Sequence, residues 1–277
     1  MSTMTLSSKA LCRLPLAMFP IPLVDGFLFN MSTTEREFTA TITLIRHGES
    51  VDNGKSIWAG CTDAPLSERG RKCPSREFET KRQADSLGQW FATNGVQFTA
   101  VYVSKLQRAK QTADAILKYH ADPKPSLIEE FLLHEINFGK AEGKPYTEKP
   151  TLGLSIEEHY QKGIFPHIRN RTDHFPDGES KDDVANRAEK VLQNIFIRDI
   201  VGAMKDRRDY RVAIVGHGVF LREFLYALHR RCRIVGPKYD YLKPTAWTRV
   251  EIKARWEDLS SDCLPISMKV THVDQTV

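Results

Sequence analysis

The chain has 277 residues, 41% of them hydrophobic and 27% charged, with a net charge of +5. That balance suits a globular protein of one large domain or two small ones. No run of Lys or Arg interleaves with aromatics as on a nucleic-acid surface, and no segment reaches the roughly 20 apolar residues that span a bilayer, so neither nucleic acid nor membrane is expected as a partner.

Residues 1 to about 35 differ from the rest. They hold Lys9 and Arg13 but no acid before Asp25, and Pro15, Pro20 and Pro22 interrupt the apolar stretch. The expectation is a disordered, cleaved or upstream segment, with one domain over 36–277. The location expected is cytoplasmic, or mitochondrial if residues 1–30 act as a targeting peptide. The five cysteines (Cys12, Cys61, Cys73, Cys232 and Cys263) form no C-x-x-C pair and no metal-like spacing, which points to free thiols in a reducing compartment.

From residue 41 onward strand and helix patterns alternate. The chain opens with a strand over 41–45 and a polar loop to about 68. The stretch 70–83 reads as a polar surface loop. A helix over 83–95 puts Ala84, Leu87, Trp90 and Phe91 on one face, and Gly95 stops it. A strand over 98–104 leads into a helix over 105–120, with Ser104 as the expected N-cap. A short strand from Pro125 and a loop rich in Glu and Gly come next, then short helices in a cap over 146–178. A long helix over 179–204 carries Val184, Ala188, Val191, Leu192 and Ile195 on its apolar face. The buried strand "YRVAIVGHG" and its helix precede a final strand over 246–254. The class is α/β, doubly wound.

Two buried strands end alike, in "LIRHG" at 44–48 and "IVGHG" at 214–218. In open α/β sheets ligands bind beyond the carboxyl ends of parallel strands. Adjacent strands would bring His47 and His217 into one pocket, and each following glycine would let backbone N–H groups approach an anion. Arg46 and Arg108, the latter on the first turn of its helix, supply guanidinium forks suited to phosphate oxygens. The same helix would add the positive end of its dipole. A neutral histidine can attack phosphorus, with the second staying protonated to balance charge on the phosphoryl oxygens. Glu135 is the candidate proton donor. Taken singly, each residue has a plainer reading: a packed histidine, a surface arginine, a loop carboxylate. Their combination is what points to a phosphoryl site.

These residues resemble the histidine phosphatase superfamily, which includes cofactor-dependent phosphoglycerate mutases and many phosphatases. The likeness rests on ordered pieces: "RHGES" with Asn53, "WAGCTDAPLSERG", "VSKLQRAKQTA", "LLHEINFGKAEGK", "FPDGES" and "VGHGVFLRE". It implies a three-layer α/β/α sandwich with a mostly parallel central sheet, phosphoglycerate mutase-like, that needs no metal or other cofactor. It implies His47 as nucleophile and Glu135 as acid and then base. Arg46, Arg108 and His217 complete the phosphate pocket, with Asn53, Ala59 and Gly60 on the substrate side. Glu49, Ser50 and Thr62 are weaker candidates; Glu142 and Ser180 look structural.

Where mutases of this group follow the acid with Arg-His-Tyr-Gly and grip a substrate carboxylate with paired arginines, this chain has Ile136-Asn137-Phe138-Gly139. Only "RNR" at 169–171 imitates the grip, and extra residues at 72–82 interrupt a helix. The expected function is therefore a phosphomonoesterase acting on a phosphorylated small molecule, such as a sugar phosphate, with a phosphoprotein as the alternative substrate. The rivals are a phosphoglycerate mutase and a non-catalytic phosphate-binding scaffold. A zinc hydrolase is disfavoured by the lack of ligand spacing.

Overall fold

Alternation along each central strand sends apolar side chains to both faces of one sheet. In the computed structural model, which describes residues 37–55, 57–68, 83–146, 150–232, 242–255 and 267–277, β1 (Glu37–Arg46) turns Phe38, Ala40, Ile42 and Leu44 to one face and Ile45 to the other. Likewise β4 (Tyr210–Gly216) splits Val212 and Ile214 from Ala213 and Val215. A strand buried on both faces needs a layer of helices on each side.

One layer is α1 (Gln83–Thr93) and α2 (Gln107–Lys118), which pack Leu87, Phe91, Ala113 and Ile116 on the sheet. The opposite layer is α4 (Lys181–Val191), α5 (Arg198–Lys205) and α6 (Gly218–Cys232), with Val184, Ala188, Phe220 and Phe224 turned inward. The short α3 (Ile156–Gln161) belongs to a cap, where Trp58, Ala141, Phe165, Ile168 and Phe175 form a small core of their own.

With β2 (Ala100–Ser104), β3 (Ser126–Glu130), β5 (Trp247–Arg255) and β6 (Ser267–Gln275), the sheet runs β3-β2-β4-β1-β5-β6. The β3-β2-β4-β1 pairs are parallel, and β5 runs antiparallel to both neighbours. This is the expected three-layer α/β/α sandwich, mostly parallel.

Register places the site. Arg46 lies opposite Gly216 in the parallel β1–β4 pair, so His47 and His217 leave the sheet at one level. Since β4 lies between β1 and β2, the helix after β2 reaches the same place.

Several expectations need correction. The strand at 246–254 is not the last, because β6 pairs with β5 beyond it. Exposed Lys269, Thr271 and His272 deny that edge strand an alternating apolar signal. The long helix 179–204 starts at an N-cap, Ser180, and is broken by a π-helical turn over Leu192–Ile197. Ser104 does not cap α2: the N-cap is Leu106, which has no side-chain hydrogen bond. Residues 1–36 and the 72–82 insertion lie outside the described residues, as do 70–71 of the polar loop; Gln83 at its end opens α1.

Candidate active site

The two imidazoles meet at the carboxyl end of the sheet, ring centroids 5.0 Å apart and tilted by 58°. Five charged or titratable side chains pack around that point almost out of solvent: His47 is 3% exposed, His217 0%, Arg108 2%, and Arg46 and Glu135 8% each. Buried charge of this kind persists only when hydrogen-bonded.

His47 is held at both ends. Its Nδ1 lies 2.5 Å from the carbonyl of Gly48, while its Nε2 accepts the Nε–H of Arg108 at 3.3 Å. Together these bonds require the Nδ1–H tautomer, with the lone pair on Nε2. The backbone is pinned as well: the amide of Thr245 donates to the His47 carbonyl at 3.2 Å. Thr245 does so at φ +58°, a strained conformation for a β-branched residue.

Arg108 has the most determined position of the set. Beyond His47, its Nη1 donates to the Thr62 carbonyl at 2.7 Å and its Nη2 to the Gly60 carbonyl at 2.7 Å. Gly60 is a glycine because that strip runs against the loop after Glu135: an added Cβ would lie 2.3 Å from the Ile136 oxygen and 2.4 Å from Glu142 Oε1. Glu142 fastens the two segments, accepting from the amides of Cys61 at 2.7 Å and Phe138 at 3.1 Å. Its role and that of Ser180 are structural, as expected. Arg46 donates through Nη1 to the Leu242 carbonyl, and its side chain lies against Gly218.

Glu135 faces the first turn of α6. Its Oε1 accepts from the amides of Ile136 at 2.9 Å and Phe220 at 3.1 Å, and its Oε2 from that of Val219 at 3.1 Å. Two donors left over at a helix start are thereby satisfied. Each carboxylate oxygen has two acceptor positions, and Val219 takes one of those on Oε2.

The electrostatics favour neutral imidazoles. Burial, then the charges of Arg108 and Arg46, push His47 well below the ordinary histidine range. Burial first, then Arg108, His47 and Arg46, lower His217 in the same way. The expected protonated second histidine is therefore corrected: two fixed guanidinium charges in a dry pocket disfavour a third cation.

Other expectations fall differently. The Gly48 amide is taken by Thr112 Oγ1 at 3.1 Å and does not face an anion. The first amide of α2, that of Gln107, donates to Asp63 at 2.6 Å. Asn53 uses its side-chain oxygen on the amide and hydroxyl of Ser50, at 3.1 and 2.9 Å, within a turn. Ala59 adjoins Gly60 and is half-buried. Glu49 receives the hydroxyl of Ser67 at 2.9 Å. Thr62 takes part through its carbonyl. In the "RNR" segment Arg171 is committed to buried Glu223 at 2.8 Å and to Asp182 at 2.7 Å.

Three contributors escaped the sequence reading. Ser104 Oγ lies 2.9 Å from His217 Nε2. Asp63 closes α2. Arg187 interrupts the Val184–Ala188–Val191 stripe with a charge, and that was its one visible signal. Among the described residues no group of three or more His, Cys, Asp or Glu is placed to hold a metal, and no helix is long and apolar enough to cross a membrane.

Comparison with known proteins adds to this geometry. A model of the histidine phosphatase superfamily (branch 1) matches residues 42–260. A 2,3-bisphosphoglycerate-dependent phosphoglycerate mutase of Bartonella bacilliformis is 29% identical over 188 residues, covering 68% of this chain and 81% of that protein. Fructose-2,6-bisphosphatase TIGAR B of Danio rerio is 31% identical over 164 residues, covering 58% and 54%. A mycobacterial glucosyl-3-phosphoglycerate phosphatase superposes with a TM-score of 0.60 at 21% identity, over 86% of this chain and 100% of that one.

Proposed function

The chain belongs to the histidine phosphatase superfamily, a family of phosphatases and mutases that act on phosphate, and on that premise we propose that it is a phosphomonoesterase working through a phosphohistidine. The observation that carries this reading is the setting of His47, a buried imidazole whose Nε2 accepts a hydrogen bond from Arg108 and whose protonation is disfavoured by burial and then by the arginine charges.

A substrate phosphate takes the place of Nε2 as the acceptor of the Arg108 Nε–H, and Arg46 lies across the pocket. His47 Nε2 attacks phosphorus. The ester P–O bond breaks, and the leaving oxygen takes a proton from the Glu135 carboxyl. Water then loses a proton to the Glu135 carboxylate and attacks the phosphohistidine; the P–N bond breaks, releasing phosphate and neutral His47. His217 serves without a third positive charge. Its Nδ1 has no partner among the described residues. Ser104 Oγ accepts the Leu106 amide and lies 2.9 Å from His217 Nε2; in the tautomer this mechanism uses, the Ser104 hydroxyl donates to Nε2 and Nδ1–H donates to a phosphoryl oxygen.

Hydrolysis is favoured over the mutase alternative by Arg171. The nearest counterpart of a paired-arginine grip is held by Glu223 and Asp182, and Glu135 is followed by apolar Ile136 and Phe138. The substrate is a phosphorylated small molecule, admitted beside the cap.

The test is free-phosphate release over a panel of phosphomonoesters, run beside an isomerisation assay with phosphoglycerate and its bisphosphate. Phosphate release by the wild type and none by His47→Ala is the expected result. Isomerisation outpacing release overturns hydrolysis in favour of the mutase, and inactivity in both assays supports the scaffold.

A further inference from the structure

The geometry points to Arg187 as the positioning residue for the proton donor Glu135, an inference that rests on the reading of Glu135 given above. Arg187 belongs to α4, away from the phosphate pocket, and is 8% exposed. Its fork gathers the loop that carries Glu135. Nη1 donates to the carbonyls of Leu132 at 2.7 Å and His134 at 2.8 Å, and Nη2 lies 3.4 Å from that of Glu135 itself.

The far side of the loop is tied to the same residue. Glu179 takes Nε of Arg187 at 3.1 Å and Nη2 at 3.0 Å, and its Oε2 accepts the amide of Asn137 at 2.9 Å. One ion pair thus clamps the backbone on both sides of Glu135. The guanidinium also lies 5.1 Å over the ring of Phe220, whose amide holds the Glu135 carboxylate. Arg187 therefore registers the loop against the helix start that aims the carboxyl group. A planar five-donor fork does this; a single ammonium cannot reach the same set of acceptors. Arg187 touches no reacting atom, so its effect on the reaction passes through Glu135.

Such a role is separable from general support of the fold by the leaving group. An alkyl phosphate needs a proton on its departing oxygen, whereas p-nitrophenyl phosphate releases a stable anion and needs little. Since kcat/KM reports only the steps through departure of the leaving group, later water attack does not blur the comparison. General acids contribute about 10²–10⁴-fold, and a misplacement of about 1 Å can cost about 10²-fold.

Arg187→Met is expected to lose about 10²-fold in kcat/KM on an alkyl phosphate and less than about tenfold on the nitrophenyl ester. Arg187→Lys and Glu179→Gln, milder changes that carry the test if Arg187→Met does not fold, are expected to lose less but with the same bias. Glu135→Gln is run beside them. Equal losses on both esters in folded Arg187 and Glu179 variants, with a biased loss in Glu135→Gln, overturn the positioning role and leave Glu135 as proton donor. Equal losses in Glu135→Gln overturn the reading of Glu135, and the proposal falls with it.

Discussion

Replacing Gly60 by Ala adds one methyl group at the tightest contact of the site. The new carbon would lie 2.3 Å from the Ile136 carbonyl oxygen, 2.4 Å from Glu142 Oε1 and 3.0 Å from Phe138 Cδ2. Normal contact requires roughly 1 Å more at the first two. The Ile136 oxygen is backbone and cannot swing aside. The Glu142 carboxylate can, but only by releasing the amides of Cys61 and Phe138. Hence the strip at Gly60 must part from the loop after Glu135 by about 1 Å, taking with it either the carbonyl that anchors Arg108 or the segment next to Glu135. Overpacking of this size costs about 1–3 kcal/mol of stability. A displacement of about 1 Å between reacting groups costs about 10²-fold in rate, or about 2.7 kcal/mol in the barrier. The assay is kcat/KM for phosphate release with a thermal melt on the same preparation. A Gly60→Ala protein with wild-type melting and activity within about threefold would show that the tight seam does not govern the reacting groups.

His47→Ala should abolish both turnover and acid-labile phosphate labelling of the protein; persistent labelling would place the nucleophile elsewhere. Acidification should destabilise the fold through His47 and His217. Both have folded-state pKa values lowered by burial, so below about pH 6.5 the unfolded chain binds protons that the folded site refuses, with a limiting slope near 1.4 kcal/mol per pH unit for each. The contribution is present above the unfolded pKa and lost as pH falls. Urea melts at several pH values should show that slope reduced in His217→Gln; an unchanged slope refutes the assignment. Thr245→Asn should raise stability by about 1 kcal/mol, because Asn tolerates the left-handed conformation that Thr245 holds at φ +58°; a lower melting temperature refutes the strain.

The parts of the site written in backbone pattern were legible. Apolar runs marked β1 and β4, and the two His-Gly ends followed from where those strands stop. Arg108 could be placed because a helix so close after β2 has to begin near its strand end. What stayed hidden depends on contacts distant in sequence. Ser104 looked like a helix cap because serine before a helix usually is one, yet its hydroxyl meets a histidine 113 residues away. Arg187 looked like a break in an apolar stripe, since nothing local announces three carbonyls on another segment. The protonated second histidine was a local guess undone by burial, which no sequence pattern reports.

Burial first, and then the arginine charges, disfavour protonation of both histidines of the pocket. Carbonyl oxygens hold the guanidinium groups, those of Gly60 and Thr62 for Arg108 and that of Leu242 for Arg46. Partial charges on the Gly60 and Thr62 oxygens satisfy N–H groups of Arg108 without cancelling its cation, which leaves a positive field at His47. The carboxyl group of Glu135 is turned onto the start of α6, where backbone amides hold it. That field opposes protonation of His47 and so keeps the Nε2 lone pair ready. On the proposed reading, one arrangement thus keeps the Nε2 lone pair of His47 free and leaves an uncharged His217 to donate a hydrogen bond to a phosphoryl oxygen.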